Sequence, residues 1–444
     1  MTTLLTSTGY GGTGSSAVTD ILKEFGPVLS FGNAEFTFAH EPDGIADLEN
    51  SLLEGHRLKT DLAIKRFLKL SSQLSKDYNY EKCFKGKFEE LSKKYISTII
   101  SCEWNGWWHR VDETINYTQK QRYFIELLKE VYILYLHDIM SYELYEPDKW
   151  CPTYTPLTKE YYSNLNSLEK RNNFLDETKK FTDNLLQESS GNNNNYKYVL
   201  LDQAVPPISF SKYMRYFTMP KVIIVDRDPR DLYVMNKSFW GCGFLPTNNV
   251  ELFTKWYLET RQSRKLELSN LFNTQDKEVL FMPFESLVYE YDNSLKSIMH
   301  YTVLMPDEHI NKLKFFNPEL SIKNTQFFLD YPDLKNDIKL IERNLQDYCY
   351  NFPQRKQNVC VRYFLIEEVN HKFNMFKENE KLSKEVKKYF FIALLRKTRF
   401  YAVIREKNKR GESTSSSKIY IKIIIYFLLL PINIFILCYR LNKQ

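Results

Sequence analysis

Two kinds of apolar pattern alternate along this chain. Short unbroken runs occur at Thr3–Thr6, Pro27–Phe31 (PVLSF), Tyr198–Leu201 (YVLL), Val222–Val225 (VIIV) and Val279–Met282 (VLFM). Each is bounded by polar, glycine or proline residues, as strands buried on both faces are. Between them apolar residues recur every three or four positions, which predicts helices over 15–25, 251–272, 294–315 and 333–350. Strands separated by helical crossovers of this length predict an open α/β fold, a parallel sheet flanked by helices. From Glu49 to Glu188 almost no strand pattern is visible. Leu58–Leu74, Phe84–Ile100, Gln121–Tyr142 and Leu168–Leu186 all carry helical spacing, so residues 49–190 are expected to form a helical insertion. The polar run Ser189–Asn195 closes it.

Composition sharpens this picture in two places. Of 444 residues 43% are hydrophobic and 26% charged, which excludes a disordered chain. The net charge of +6 is uneven: residues 385–444 carry a net +10, leaving −4 on residues 1–384. The α/β body, expected to span 1–384, is therefore not a basic nucleic-acid reader, and no nucleic-acid partner is expected. A basic helix and linker are expected over 385–418, and a hydrophobic tail over 419–444. That tail contains sixteen uncharged residues, Ile423–Cys438, interrupted by Pro431 and Asn433. A very apolar segment after a basic stretch predicts attachment to the inner face of a membrane. The seven cysteines are scattered without a CxxC pair, the N-terminus lacks a signal-peptide pattern, and both point to a cytoplasmic protein. No metal-ligand spacing appears, and the expectation is that no metal is required.

The candidate chemistry sits at strand ends. Thr8–Gly9–Tyr10–Gly11–Gly12–Thr13–Gly14–Ser15–Ser16 joins the first strand to the first helix. There, backbone N–H groups and the positive helix end can face phosphate oxygens, and Thr13, Ser15 and Ser16 add hydroxyls. The spacing of Gly9 and Gly14 fits the nucleotide-triphosphatase pattern GxxxxGK[ST], but Ser15 occupies the lysine position. A flexible glycine turn is the plainer alternative. After the fourth strand stand Arg227–Asp228–Pro229–Arg230–Asp231, which read either as a phosphate grip built on Arg227 or as an exposed ion-pair cluster. Phe284–Glu285–Ser286–Leu287 follows the fifth strand.

These three pieces, in this order and each at a strand end, resemble the sulfotransferases that use 3′-phosphoadenosine 5′-phosphosulfate (PAPS), in their bacterial glycan-type form with a P-loop-like fold. The resemblance covers roughly residues 1–45 and 197–350. It implies that the loop of Gly11, Gly12, Thr13, Gly14, Ser15 and Ser16 holds the 5′-phosphosulfate and that Arg227 grips the 3′-phosphate. Ser321–Thr325 resembles a late segment that closes over the nucleotide, which adds Lys323. The chain departs from the family pattern at Gly12, where a lysine or arginine is common, and at Met235, where a serine is common. The implied reaction moves a sulfuryl group from PAPS, as co-substrate, to a hydroxyl of a carbohydrate or glycolipid of capsule or lipopolysaccharide type. Its base is Glu35, expected just after the second strand, or His40. A P-loop kinase and a catalytically silent nucleotide-binding scaffold are the competing readings. The early insertion residues His56, Arg57, Lys59, Lys65, Arg66 and Lys69 read as a solvated helix face or as the wall of a cleft for an anionic glycan.

Overall fold

The computed structural model describes residues 2–105, 152–156, 167–191, 195–240, 244–271 and 279–354. The candidate helix 121–142, the basic segment 385–418 and the tail 419–444 lie outside them. Among the described residues no helix is long and apolar enough to cross a membrane.

Seven strands are described: β1 (Thr3–Gly9), β2 (Val28–Glu35), β3 (Ile100–Asn105), β4 (Pro152–Pro156), β5 (Tyr198–Asp202), β6 (Lys221–Asp226) and β7 (Val279–Pro283). The helices are α1 (Ser15–Leu22), α2 (Ile45–Glu54), α3 (Arg57–Leu74), α4 (Tyr78–Phe84), α5 (Phe88–Ile99), α6 (Ser167–Ser190), α7 (Phe210–Met214), α8 (Pro229–Met235), α9 (Val250–Leu271), α10 (Phe284–Tyr289), α11 (Tyr291–Thr302), α12 (Pro318–Ser321) and α13 (Lys335–Asn344). All five expected strands are present and form one parallel sheet in the order β2-β5-β1-β6-β7. The fold is therefore α/β, with helices covering both faces of the sheet. Alternate residues of each strand enter opposite cores: Leu4, Val199, Leu201, Val222 and Ile224 pack on one side, and Leu5, Leu200, Ile223 and Val225 on the other. That two-sided burial is why the strands read as unbroken apolar runs.

Strand β1 is longer than its apolar run. Its polar half, Thr6–Ser7–Thr8, is fully buried, so each hydroxyl needs a partner. All three find one at the end of β5: Thr6 Oγ1 accepts from Ala204 N at 3.1 Å, Ser7 Oγ donates to Asp202 Oδ1 at 2.9 Å, and Thr8 Oγ1 donates to Gln203 Oε1 at 2.7 Å. These bonds fix the carboxyl ends of the two central strands against each other.

Three expectations need correction. The region between β2 and β5 is not free of strand: β3 and β4 pair antiparallel, and β4 is a short proline-bounded stretch with no apolar run to reveal it. The helix expected to reach residue 315 ends at Thr302, where Val303 adopts φ 54°. The following loop is tied instead to Glu24, whose buried carboxylate accepts from Leu313 N, Phe315 N, Phe316 N and the His309 ring. The last expected helix stops at Asn344 and passes into a single tight turn at Gln346–Tyr348.

Helix α9 carries a buried cation. Arg261 is fully buried, bonded to Asp226 at 2.6 and 3.1 Å and sandwiched between the Tyr10 and Tyr257 rings at 3.8 and 3.7 Å. Arg264 forms a second ion pair with Asp226 at 2.8 Å. Replacing Arg261 with methionine keeps much of the volume and strands part of the Asp226 charge. The expected loss, about 3 kcal/mol by urea unfolding, lies at the low end for a broken buried pair because Arg264 remains.

Candidate functional site at the carboxyl end of the sheet

The chain runs from β1 outward to β2, returns to β5 beside β1, and then crosses to β6 on the other side of β1. Strand order thus reverses at β1, and in open parallel sheets the crevice beyond that point is where ligands bind. The glycine turn sits there. Gly11, Gly12 and Gly14 have φ of 85°, 79° and 93°, a conformation open to glycine and strained for other residues. At Gly14 a side chain would also strike the Phe284 ring, 2.5 Å from the Cβ position. Gly14 is the residue from which α1 begins. Thr13 is buried and folds beneath the turn, its Oγ1 accepting from Tyr10 N at 3.2 Å. Ser16 is exposed, and Ser15 is nearly buried with its Oγ 3.1 Å from Gln203 Nε2.

Arg227 comes to this turn from the end of β6. Its side chain is 5% exposed. Nη1 donates to the Gly12 carbonyl at 3.2 Å, and Nη2 donates to the Asn324 carbonyl. The guanidinium lies over the Phe284 and Phe327 rings at 4.7 and 5.4 Å. Nε is buried without a hydrogen-bond partner among the described residues. Met235 Sδ lies 3.2 Å from Nη1, so the thioether stands against the guanidinium where the resemblance expects a serine. The next residue, Asn236, reaches the Gly11 carbonyl at 3.4 Å. Lys323 is half-buried on the turn Ile322–Asn324, whose last carbonyl takes the Arg227 bond. The structure therefore brings the glycine turn, Arg227 and the Lys323 turn together.

The exposed ion-pair alternative fails, because Arg227, Asp228 and Asp231 are all buried. Asp228 caps α8 and is paired with Arg230, which itself lies 4.4 Å over the Phe328 ring. Asp231 accepts from Gln326 N at 2.6 Å and Phe328 N at 3.2 Å. Glu285, from the third sequence piece, accepts from Asp228 N at 3.0 Å and so ties the end of β7 to the end of β6. Burial pushes the Glu285 carboxyl up to about 8 and the Asp231 carboxyl up to about 7, with Arg227 opposing both shifts.

The two candidate bases lie on the other side of β1. Glu35 is the last residue of β2, not beyond it, and is exposed, paired in register with Asp202. His40 is half-buried, with Nε2 2.8 Å from the Gln203 carbonyl and its ring edge-on to Tyr213. Burial lowers its pKa, while the Gln203 carbonyl, Glu41 and Glu35 pull the other way. Immediately after His40, Glu41 and Asp43 face Arg66, Lys69 and Gln73 of α3 across a polar cleft of about 600 Å³. Of the early basic run, His56, Lys59 and Lys69 are exposed, Arg66 and Lys69 line this cleft, and Lys65 is buried, in a pair with Asp61.

Two contributors have no sequence motif. Gln203 bonds both halves of the site, and its only sequence signal is a polar residue directly after a buried strand. Asp202 beside it is buried, and desolvation raises its carboxyl to about 7 against a hydrogen bond from Ser7. Among the described residues no group of three or more histidine, cysteine or acidic side chains converges as a metal site would.

The raised carboxyls make stability depend on pH. A carboxyl with a folded pKa above its unfolded value of about 4 favours folding fully at low pH and loses that contribution as pH rises through the folded pKa. Asp202, Asp231 and Glu285 place this loss between about pH 4 and 8. Glu285→Gln keeps an acceptor for Asp228 N and removes one ionisation. Its stability, followed by thermal melts, should fall less steeply than the parent's between about pH 5 and 7, by up to about 1.4 kcal/mol per pH unit, and the difference should fade as pH passes the folded pKa. Parallel curves would show that Glu285 is ionised throughout.

Comparison with protein-family models, with curated proteins and with solved structures finds no significant match, so the functional reading rests on these residues and their geometry.

Proposed function

We propose that the chain is a PAPS-dependent sulfotransferase that transfers a sulfuryl group to a hydroxyl of a carbohydrate or glycolipid. The observation that carries this reading is the state of Arg227. It is a buried cation whose Nε has no partner among the described residues, beside a turn of three left-handed glycines at the point where strand order reverses. Desolvation pushes the Glu285 and Asp231 carboxyls toward their neutral forms, and Asp228 is taken by Arg230. The Arg227 charge is thus poorly matched within the protein, and an anion of the phosphate class fits it.

In this reading the P-loop-like turn Gly11–Ser16 presents backbone N–H groups to the 5′-phosphosulfate, and Arg227 holds the 3′-phosphate. The bound co-substrate supplies an activated sulfuryl group on a phosphate leaving group. The acceptor oxygen forms the new bond to sulfur as the sulfur–phosphate oxygen bond breaks, and the acceptor proton passes to His40 or Glu35. A lowered pKa keeps His40 neutral at physiological pH, the form able to take a proton. Lys323 stands in for the cation that Gly12 does not provide. The polar cleft beside His40, with two cations, two carboxylates and an amide on its walls, matches a hydroxyl-rich acceptor. The tail 419–444 would bring the enzyme to a glycolipid at the cytoplasmic membrane face. Met235 against Arg227 favours one second reading, a nucleotide-binding scaffold without transfer.

Calorimetry with 3′,5′-adenosine bisphosphate tests the assignment. Arg227→Ala should weaken this ligand roughly tenfold to hundredfold more than it weakens adenosine 5′-phosphate, the size of a lost charge-assisted contact. Equal loss for both ligands would remove Arg227 from the 3′-phosphate. Labelled sulfate transfer to a glycan pool then separates enzyme from scaffold. Among transferring variants, His40→Gln or Glu35→Gln should lower turnover about 10²–10⁴-fold with ligand affinity intact, identifying the base.

A further inference from the structure

The geometry points to Gln203 as the positioning residue that joins the two halves of the candidate site. We propose that its side-chain amide holds the Ser15 hydroxyl as a donor to a bound anion, while its backbone carbonyl holds His40 in the Nε2–H tautomer and leaves Nδ1 to accept a proton. This deepens the reading of the glycine turn as an anion cradle and rests on it.

Gln203 follows β5 directly and adopts φ 60°, a left-handed conformation uncommon for a side chain of this size. Three bonds compensate for it. Its N–H donates to the Ser7 carbonyl at 2.9 Å, its Oε1 accepts from Thr8 Oγ1 at 2.7 Å, and its Nε2 lies 3.1 Å from Ser15 Oγ. The amide lies with Oε1 toward Thr8 and Nε2 toward Ser15. With Oε1 taken by Thr8, Nε2 can only donate, so Ser15 Oγ accepts and its own proton is directed away from Gln203. Ser15 opens α1 directly after Gly14, so a hydroxyl held this way adds a side-chain donor to the backbone N–H groups of the turn.

The left-handed turn also aims the Gln203 carbonyl toward the other half of the site, where it meets His40 Nε2 at 2.8 Å. A carbonyl can only accept, so Nε2 must carry the proton in the neutral ring, and the lone pair resides on Nδ1. Tyr213 sets the ring edge-on at 5.8 Å between centroids, and Glu35 and Glu41 are the charged groups that act on it. One residue thereby sets the donor direction of a loop hydroxyl and the acceptor atom of a candidate base. The two sites belong to chain segments about 160 and 190 residues away from it.

Two measurements on the full chain test this. The first is pyrophosphate affinity by calorimetry in Gln203→Glu and Gln203→Asn. A carboxylate at 203 accepts from both Thr8 and Ser15, turning the Ser15 proton inward and adding a negative charge. Gln203→Glu should therefore weaken pyrophosphate at least tenfold, while Gln203→Asn, which tolerates the left-handed backbone but is too short to bridge, should lose no more than about threefold. Both should melt within a few degrees of the parent. The second is the nitrogen-15 spectrum of the neutral His40 ring, assigned by its loss in His40→Gln, with Nε2 expected as the protonated nitrogen. Parent-like binding by Gln203→Glu, equal losses in both variants with a lowered melting midpoint, or an Nδ1–H ring each overturns the inference. Failure to bind 3′,5′-adenosine bisphosphate, with these pyrophosphate and tautomer results intact, would overturn only the sulfotransferase reading. A parent that binds neither ligand overturns both.

Discussion

A single buried guanidinium holds the carboxyl edge of this sheet together. Arg227 arrives from β6, bonds the glycine turn that follows β1, bonds the turn that precedes Thr325, and rests on Phe284 from the start of α10. Burying a cation is costly unless it is compensated, and the compensation here is unusual. Three carboxylates surround it, yet one is paired elsewhere and two are pushed toward their neutral forms. Desolvation raises both acids, and the neighbouring Arg227 charge opposes that rise. An anion placed against Arg227 would hold Asp231 and Glu285 protonated, and their neutral state would in turn leave the cation free for the anion.

Topology explains why the other candidate groups gather around this cation. With β1 central and the chain leaving it first on one side and then on the other, loops after β1, β5, β6 and β7 all open onto one edge. The buried hydroxyls of Thr6, Ser7 and Thr8 lock β1 to residues 202–204, and Glu285 locks β7 to β6. These polar staples do not need to add much net stability. Their role is registry, because a buried donor or acceptor left unmatched by a slipped strand costs more than the bond itself contributes.

The sheet was legible because buried parallel strands are unbroken apolar runs, and all five stood out. The glycine turn, Arg227 and Glu285 were legible because each lies within a few residues of a strand end. What the sequence hid depended on partners far away in the chain. Gln203 carries no motif, and its bonds to Thr8, Ser15 and His40 appear only once the sheet places those residues together. Strand β4 has too few apolar residues to show a period. Val303 ends its helix because the loop beyond is captured by Glu24, nearly three hundred residues earlier, which overrides a continuing helical pattern. The burial of Asp228 and Asp231 was equally hidden, since a run of alternating charges is ordinarily solvated.

The two departures from the sulfotransferase pattern have different physical weight. Met235 replaces a hydroxyl with a thioether directly against the Arg227 guanidinium, which removes one donor but keeps the guanidinium packed and oriented. Gly12 removes a loop cation outright, and its left-handed φ of 79° explains why no side chain is readily carried there. The turn has therefore been given to backbone shape rather than to charge. In the proposed transfer, what would remain to stabilise a departing phosphate is the set of N–H groups at the start of α1, a Ser15 hydroxyl held by Gln203, and the cation on the Lys323 turn. Backbone donors need no reorganisation as charge develops on a leaving group, so a preorganised turn can replace part of what a flexible lysine supplies. A turn built this way depends on its supports more than on its own side chains, and those supports are Phe284 beneath Gly14, Thr13 beneath Tyr10, and Gln203 beside Ser15.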